Sequence, residues 1–166
     1  RASAAIYRQL SQTLLGPTDS QFKFAGSGAH IKPKYVYAIS IARQQLREKM
    51  DPGNWELELS GSDLLLGGNG DARIRLIDDS GATTNPAVNQ GGRVFNVVSG
   101  SIRTGTAVTD TIATAQPGGA YGLFYPDLGI IILNGPVLNA SASIGAVLTS
   151  VPIQALPDIL LLVGKK

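Results

Sequence analysis

The chain has 166 residues, 43% of them apolar and 16% charged, with 20 glycines and no cysteine. This length fits one domain, or one domain with an extension, and the absence of cysteine excludes disulfides and thiolate metal sites. Low charge is typical of proteins whose surface is covered by neighbouring chains, because charged residues are depleted at interface cores. A Gly/Ser/Thr-rich β domain with long loops is the alternative explanation.

Charge is distributed unevenly along the chain. Residues 1–50 hold eight Lys/Arg against two Asp/Glu and residues 51–166 hold six against ten, so the two parts carry +6 and −4 and give the total of +2. A basic arm can bind nucleic acid or an acidic protein surface. Nucleic acid is disfavoured, because the charges are widely spread and aromatic residues are not regularly interleaved. We expect the arm to dock on an acidic face of a partner or of another copy.

The first predicted element is a helix over residues 2–15. The segment is rich in alanine, and Ile6, Leu10 and Leu14 recur on one helical face before Gly16-Pro17 ends the pattern. This apolar stripe has no obvious partner within so small a chain. We therefore assign Ile6, Leu10 and Leu14 as candidate interface residues.

Four strands are predicted next, at residues 35–41, 55–59, 72–77 and 94–98. A turn at residues 51–54, with Gly53 at its third position, precedes the second of them. In that strand Trp55, Leu57 and Leu59 alternate with two glutamates, which predicts one buried face and one face in water. We expect Trp55 to be mostly buried on the same side as Leu57 and Leu59.

A β-hairpin is predicted within Tyr121 to Asn134. β-prone residues, Tyr121 and Phe124 among them, flank a break at Pro126-Asp127-Leu128-Gly129. Proline presets φ at the first corner of a turn, aspartate can bond to its own backbone, and glycine accepts a positive φ. We expect this hairpin to lie centrally in the sheet, with a positive φ at Gly129.

The thirty residues 128–157 contain no charged side chain. A membrane-spanning helix is disfavoured, because three prolines and several glycines interrupt the segment. A helix within residues 139–149, packed on a sheet or on a partner, fits the composition better. We assign Val137, Leu138, Val147 and Leu148 as candidate interface residues.

Together these elements predict a mainly β fold: an antiparallel sheet, built as a sandwich or partly open barrel, with one or two peripheral helices. The predicted organisation has three parts. They are an N-terminal helix and arm at residues 1–34, a β domain at 35–135, and an apolar C-terminal extension at 136–166 that forms a truncated link to further sequence.

No catalytic, cofactor-binding or metal-binding set of residues is predicted. The single histidine, His30, stands in a predicted loop, whereas nucleophilic catalysis and zinc sites require further partners. Glu56 and Glu58 fit a solvated or salt-bridging face better than an acid–base pair, and residues 78–80 fit a polar turn better than a calcium site. Tyr121 and Tyr125 could stack on sugars if they were exposed, and this leaves a carbohydrate- or surface-binding module as an alternative.

Several segments occur in a characteristic order along residues 1–135. They are Arg47 to Leu59, Leu76 to Ser80, Val97 to Ser101 and Tyr121 to Asn134. This order resembles a group of virion structural proteins of contractile-tailed phages, especially those of marine cyanophages. The resemblance implies a virion component without catalytic residues or cofactors. It would be assembled in the host cytoplasm from copies of itself and other virion proteins.

The resemblance also implies a location and a longer chain. A tail or baseplate position is preferred, with the neck or capsid as the alternative. Members of the group continue past the hairpin with more β structure, so the resemblance implies a further C-terminal region.

Overall fold

The structure, a computed structural model, describes residues 2–25, 32–42, 46, 48–61, 72–82, 85–100, 102, 120–142 and 159–165. The described elements are, in chain order, α1 (Ala2–Leu14), β1 (Tyr35–Ile41), β2 (Leu57–Gly61), β3 (Ala72–Asp78), β4 (Ala87–Asn89), β5 (Gly92–Ser99), β6 (Gly122–Tyr125), β7 (Ile130–Asn134), α2 (Gly135–Ala142) and β8 (Ile159–Lys165).

The strands form one antiparallel sheet that curves into a half-barrel. The order across the sheet is β2-β3-β5-β6-β7-β1-β8, and the short β4 pairs with the beginning of β5. The sequence-based prediction of a mainly β, antiparallel fold with one or two helices is therefore confirmed, in its partly open barrel form and with two short helices.

The predicted hairpin lies at the centre of this sheet. Strands β6 and β7 pair directly, from Gly122 opposite Leu133 to Tyr125 opposite Ile130. Gly129 has a φ of +65°, which is in the left-handed region that glycine adopts without steric cost. Both expectations for the hairpin are confirmed.

Each face of the sheet has its own apolar core. Successive side chains of β1 point to opposite faces, so Tyr37 and Ile39 belong to one core cluster and Val36 and Ala38 to the other. Helix α2 packs in the first cluster and contacts β1, β3 and β7. These strands are not all neighbours in the sheet, so we place α2 inside the curve of the half-barrel.

Helix α1 covers the opposite face. Its Tyr7 and Leu14 are buried beside Phe22 and Phe24 of the following segment. The rings of Tyr7 and Phe22 meet edge to face with centroids 5.6 Å apart, and the Tyr7 hydroxyl accepts a 3.2 Å hydrogen bond from the Phe22 backbone N–H. The helix stripe thus has a partner within the chain, contrary to the expectation from sequence.

Three candidate interface residues prove to be core residues. Leu14, Val137 and Leu138 are at most 4% exposed and pack in the two clusters of this chain, while Leu10 and Ile6 are half-buried. Leu14 was misassigned because Phe22 and Phe24, which belong to the same cluster, lie in a segment without a regular pattern. Val147 and Leu148 lie outside the described residues.

The C-terminal part of the chain differs most from the expectation. Helix α2 begins at Gly135, directly after β7, and so starts before the predicted range 139–149, of which residues 143–149 lie outside the described residues. Pro136 stands in the first turn of α2, where a missing N–H costs nothing. Residues 159–165, expected in an extension outside the β domain, form β8 and pair with β1 from Tyr35 opposite Lys165 to Ile41 opposite Ile159. A short strand, β4, also lies between β3 and β5, where no strand was predicted.

Candidate interaction surfaces

The open ends of the half-barrel are the first candidate surface. The strand order ends at β2 on one side and β8 on the other, and among the described strands β2 pairs only with β3 and β8 only with β1. Strand β8 reads Ile-Leu-Leu-Leu-Val-Gly-Lys, and α1 lies against it. Unpaired backbone groups at a sheet edge can pair with another chain, so an apolar edge strand marks a potential contact.

The aromatic residues of the hairpin are not on the surface. Tyr121, Phe124 and Tyr125 are 6%, 0% and 0% exposed. Burial raises the pKa of Tyr125 to about 12, although its hydroxyl accepts a 3.3 Å hydrogen bond from Asn89 Nδ2. The suggestion that Tyr121 and Tyr125 form an exposed platform for sugars is therefore wrong.

The hairpin turn is fastened to neighbouring segments through Pro126 and Asp127. The Asp127 carboxylate accepts hydrogen bonds from the Arg93 backbone N–H at 3.3 Å and from Arg93 Nη2 at 3.2 Å. These bonds, together with the charge of Arg93, hold the pKa of Asp127 below its ordinary value. The Pro126 carbonyl accepts a 3.0 Å bond from the Met50 N–H, so the turn also holds the segment that leads to Gly53 and Trp55.

Trp55 joins that segment to the hairpin. Its ring is half-buried and lies 5.0 Å from the ring of Phe124, centroid to centroid. Trp55, Leu57 and Leu59 all pack on the same core cluster, as the alternation predicted, although Trp55 is less buried than expected. The indole Nε1 is buried and has no hydrogen-bond partner among the described residues.

The acidic residues next to Gly53 have structural roles. The Gly53 N–H donates to Asp78 Oδ2 at 2.8 Å, which anchors the turn at residues 51–54 to the end of β3. The buried Asp79 carboxylate accepts two 2.9 Å bonds from Asn96, one from its backbone N–H and one from Nδ2. Both carboxylates thus tie turns to strands, in agreement with the prediction of a polar turn.

The two glutamates before and within β2 share one arginine. Arg75 Nε lies 2.8 Å from Glu58 and 3.6 Å from Glu56. The hydrogen bond to Glu58, with the charges of both glutamates, raises the pKa of Arg75. Glu56 also accepts a 3.0 Å bond from the Ile102 N–H. These contacts form the salt-bridging face that was predicted for Glu56 and Glu58.

A cleft of about 400 Å³ is the second candidate surface. It lies between the segment at residues 15–25 and β4, on the face of the sheet that α1 also covers. Val94 and Leu123 supply apolar lining, and the polar lining includes Gln21, Asn85, Asn89, Asn96 and the Asp19–Lys23 ion pair, whose atoms lie 2.7 Å apart.

Within the described ranges, no three His, Asp or Glu side chains come together in a group that could hold a metal ion. Neither described helix has the length and apolar character needed to cross a membrane. His30 lies outside the described residues. No protein-family model, curated protein or solved structure matches the chain.

Sequence reasoning found the turn and hairpin residues but missed both candidate surfaces. The signal for β8 was present: an apolar run bounded by Asp158 and a lysine pair has the length of a strand. The cleft had no local signal, because β4, β5 and the segment after α1 contribute to it from distant parts of the chain.

Proposed function

We propose that the chain is a structural component of a tailed-phage particle and acts through protein–protein contacts in the tail or baseplate. The observation that carries this proposal is the apolar strand β8 at the open end of the half-barrel. The neck or capsid is the alternative location. In either location the partners would be other virion proteins and further copies of this chain.

The edge strand supports an assembly role for a physical reason. Proteins that remain monomeric commonly interrupt their edge strands with charges, prolines or bulges, because an unbroken edge invites pairing with another chain. From Ile159 to Gly164 the strand carries neither charge nor proline. Such a strand is suited to a protein whose edge is paired in its working state.

Two of the segments that carry the phage resemblance, Arg47 to Leu59 and Tyr121 to Asn134, contact each other in the fold. The segment around Asp51 to Leu59 meets the hairpin through the Trp55–Phe124 ring contact and through the hydrogen bond from Met50 to Pro126. Residues that are distant in sequence are therefore packed together. The segments that carry the resemblance are thus parts of one packed unit in this chain.

The direct test is to look for the chain in particles of the phage that encodes it. Mass spectrometry of gradient-purified particles should detect its peptides at a fixed ratio to the major structural proteins. Gold-labelled antibodies against the chain should mark tails or baseplates in electron micrographs. Labelling of the neck or capsid would select the alternative location, and absence from purified particles would contradict the proposal.

A carbohydrate- or surface-binding module is the second candidate, now based on the cleft instead of the tyrosines. Amide side chains can bond to sugar hydroxyls, while Val94 and Leu123 offer apolar contact to a sugar ring. Titration with neutral disaccharides, followed by NMR, would test it. Saturable shifts at Asn85 and Gln21 that are lost in Asn85→Ala would favour this candidate, and unchanged spectra at millimolar sugar would eliminate it.

A further inference from the structure

We propose that Met50 is an oxidation site that controls whether residues 48–55, here called the Met50 segment, stay closed on the half-barrel. The segment is fastened while the Met50 thioether is reduced, and it is released when hydrogen peroxide converts the thioether to the sulfoxide. This property goes beyond the proposed function and does not depend on it. Three features support it: the sulfur chemistry of the chain, the contacts that hold the segment, and the position of Met50 among them.

Met50 carries the only sulfur atom of the chain, which contains a single methionine and no cysteine. Methionine is oxidised reversibly to its sulfoxide, and this change converts a flexible apolar side chain into a polar one. In the reaction a lone pair of the sulfur attacks one oxygen of the peroxide, an S–O bond forms, and the O–O bond breaks. The sulfur is oxidised, while the other oxygen is reduced and leaves as water.

The Met50 segment is attached to the sheet at its backbone and through one ring. The Met50 N–H donates a 3.0 Å hydrogen bond to the carbonyl of Pro126 in the hairpin turn, and the Gly53 N–H donates one of 2.8 Å to Asp78 at the end of β3. The ring of Trp55 packs against Phe124. Segments held in this way open at a lower free energy than paired central strands, so the Met50 segment can open while the sheet stays folded.

The Met50 side chain lies where an added oxygen disturbs these attachments. It is half-buried and packs on the first core cluster, on which Trp55 also packs and to which Phe124 belongs. A small oxidant can reach a half-buried residue. A polar oxygen placed against apolar side chains loses its hydrogen bonds to water, which is unfavourable. The oxidised side chain should therefore turn toward water and draw the Met50 backbone away from Pro126.

The indole of Trp55 also favours release of the segment. Its Nε1 is buried and has no hydrogen-bond partner in the part of the chain that the structure describes. Opening of the segment lets water bond to this N–H, which removes the penalty of an unsatisfied buried donor. A sulfoxide oxygen that accepted a bond from Nε1 would instead tighten the segment, so the accessibility of Trp55 distinguishes the two results.

Peroxide treatment of the full chain, followed by mass spectrometry, tests whether the folded protein is oxidised at Met50. Trp55 is the only tryptophan, so quenching of its fluorescence by iodide then reports the state of the segment. Oxidation should increase this quenching and should accelerate amide exchange at Met50 and Gly53 by at least about tenfold. The Asn134 N–H, which donates to the Tyr121 carbonyl at 2.8 Å within the sheet, should exchange as before. Methionine sulfoxide reductases should restore the original values.

Met50→Leu is the matched control, because leucine keeps an apolar side chain of similar volume and has no sulfur. This variant should not respond to peroxide. Met50→Gln places a polar, unbranched side chain at the same position and should reproduce the released state without peroxide. Far-ultraviolet circular dichroism should show the sheet intact in both variants.

Four results would overturn the proposal. The first is equal responses of the wild type and Met50→Leu to peroxide, since the effect would then not pass through the sulfur. The second is an oxidised protein in which quenching of Trp55 is unchanged or reduced, or a Met50→Gln variant that behaves like the wild type. The third is exchange at Asn134 that accelerates as much as exchange at Met50, which would indicate global unfolding. The fourth is a folded chain that resists peroxide under conditions that oxidise the urea-unfolded chain.

Discussion

Truncation of Trp55 should show how much the contact between the β2 segment and the hairpin stabilises the fold. Trp55 lies 5.0 Å from Phe124, ring to ring, and is half-buried. Replacing a fully buried Trp with Ala costs about 3–5 kcal/mol, so we expect about 2–3 kcal/mol for Trp55→Ala. In a chain of this size that corresponds to a fall of roughly 5–10 °C in melting temperature.

Trp55→Phe is the matched control for this experiment. Phenylalanine keeps an aromatic ring against Phe124 and removes an indole N–H that has no partner among the described residues, so it should cost less than about 1.5 kcal/mol. Because Trp55 is the only tryptophan, urea unfolding should be followed by far-ultraviolet circular dichroism for all variants. A cost below about 0.5 kcal/mol for Trp55→Ala, or equal costs for the two substitutions, would refute the packing argument.

Three further changes probe the turns around the hairpin. Gly129→Val should cost more than about 1 kcal/mol in urea unfolding, because φ is +65° and valine is poorly suited to that region, whereas Gly129→Asn should cost less. Asp79→Ala should cost about 1.5–3 kcal/mol, because it leaves both Asn96 donors without their carboxylate. Asp127→Asn should cost less than about 1 kcal/mol at neutral pH, because the Arg93–Asp127 pair is 38% exposed on each side.

The pH dependence of the Asp127 contribution has a definite sign. Its folded pKa is below the ordinary value, so the pair stabilises the fold above the unfolded pKa and loses this contribution as the pH falls through the folded pKa. The difference in unfolding free energy between wild type and Asp127→Asn should therefore shrink on acidification. A difference that grows as the pH falls would contradict the role given to the Arg93–Asp127 pair. Equal costs for Gly129→Val and Gly129→Asn would contradict the argument from the positive φ at Gly129. An Asp79→Ala variant as stable as wild type would contradict the role of the Asp79–Asn96 hydrogen bonds.

Local chemistry explains which parts of the fold could be predicted from sequence. The hairpin turn was predictable because Pro126 and Gly129 restrict the backbone at fixed positions. The Trp55 strand was predictable because residues 55–59 alternate strictly, and the structure places Trp55, Leu57 and Leu59 on one cluster. In both cases the information lies within a few residues.

The errors arose where long-range packing decides the outcome. The Tyr7–Phe22 contact, which gives α1 a partner, joins the helix to a segment without regular structure, and no periodicity marks it. Tyr121 and Tyr125 are both buried because the two faces of the sheet are both covered, and a single-strand pattern cannot show this. Strand β8 was missed because a continuous apolar run lacks the alternation that identifies a half-exposed strand.

Sedimentation velocity of the purified chain over a range of concentrations shows whether this protein works as an assembling subunit. We expect species larger than a monomer that become more abundant as concentration rises, because the apolar edge of β8 pairs with another chain. A thermally stable monomer at every concentration would contradict the claim and would shift weight to a stand-alone binding module.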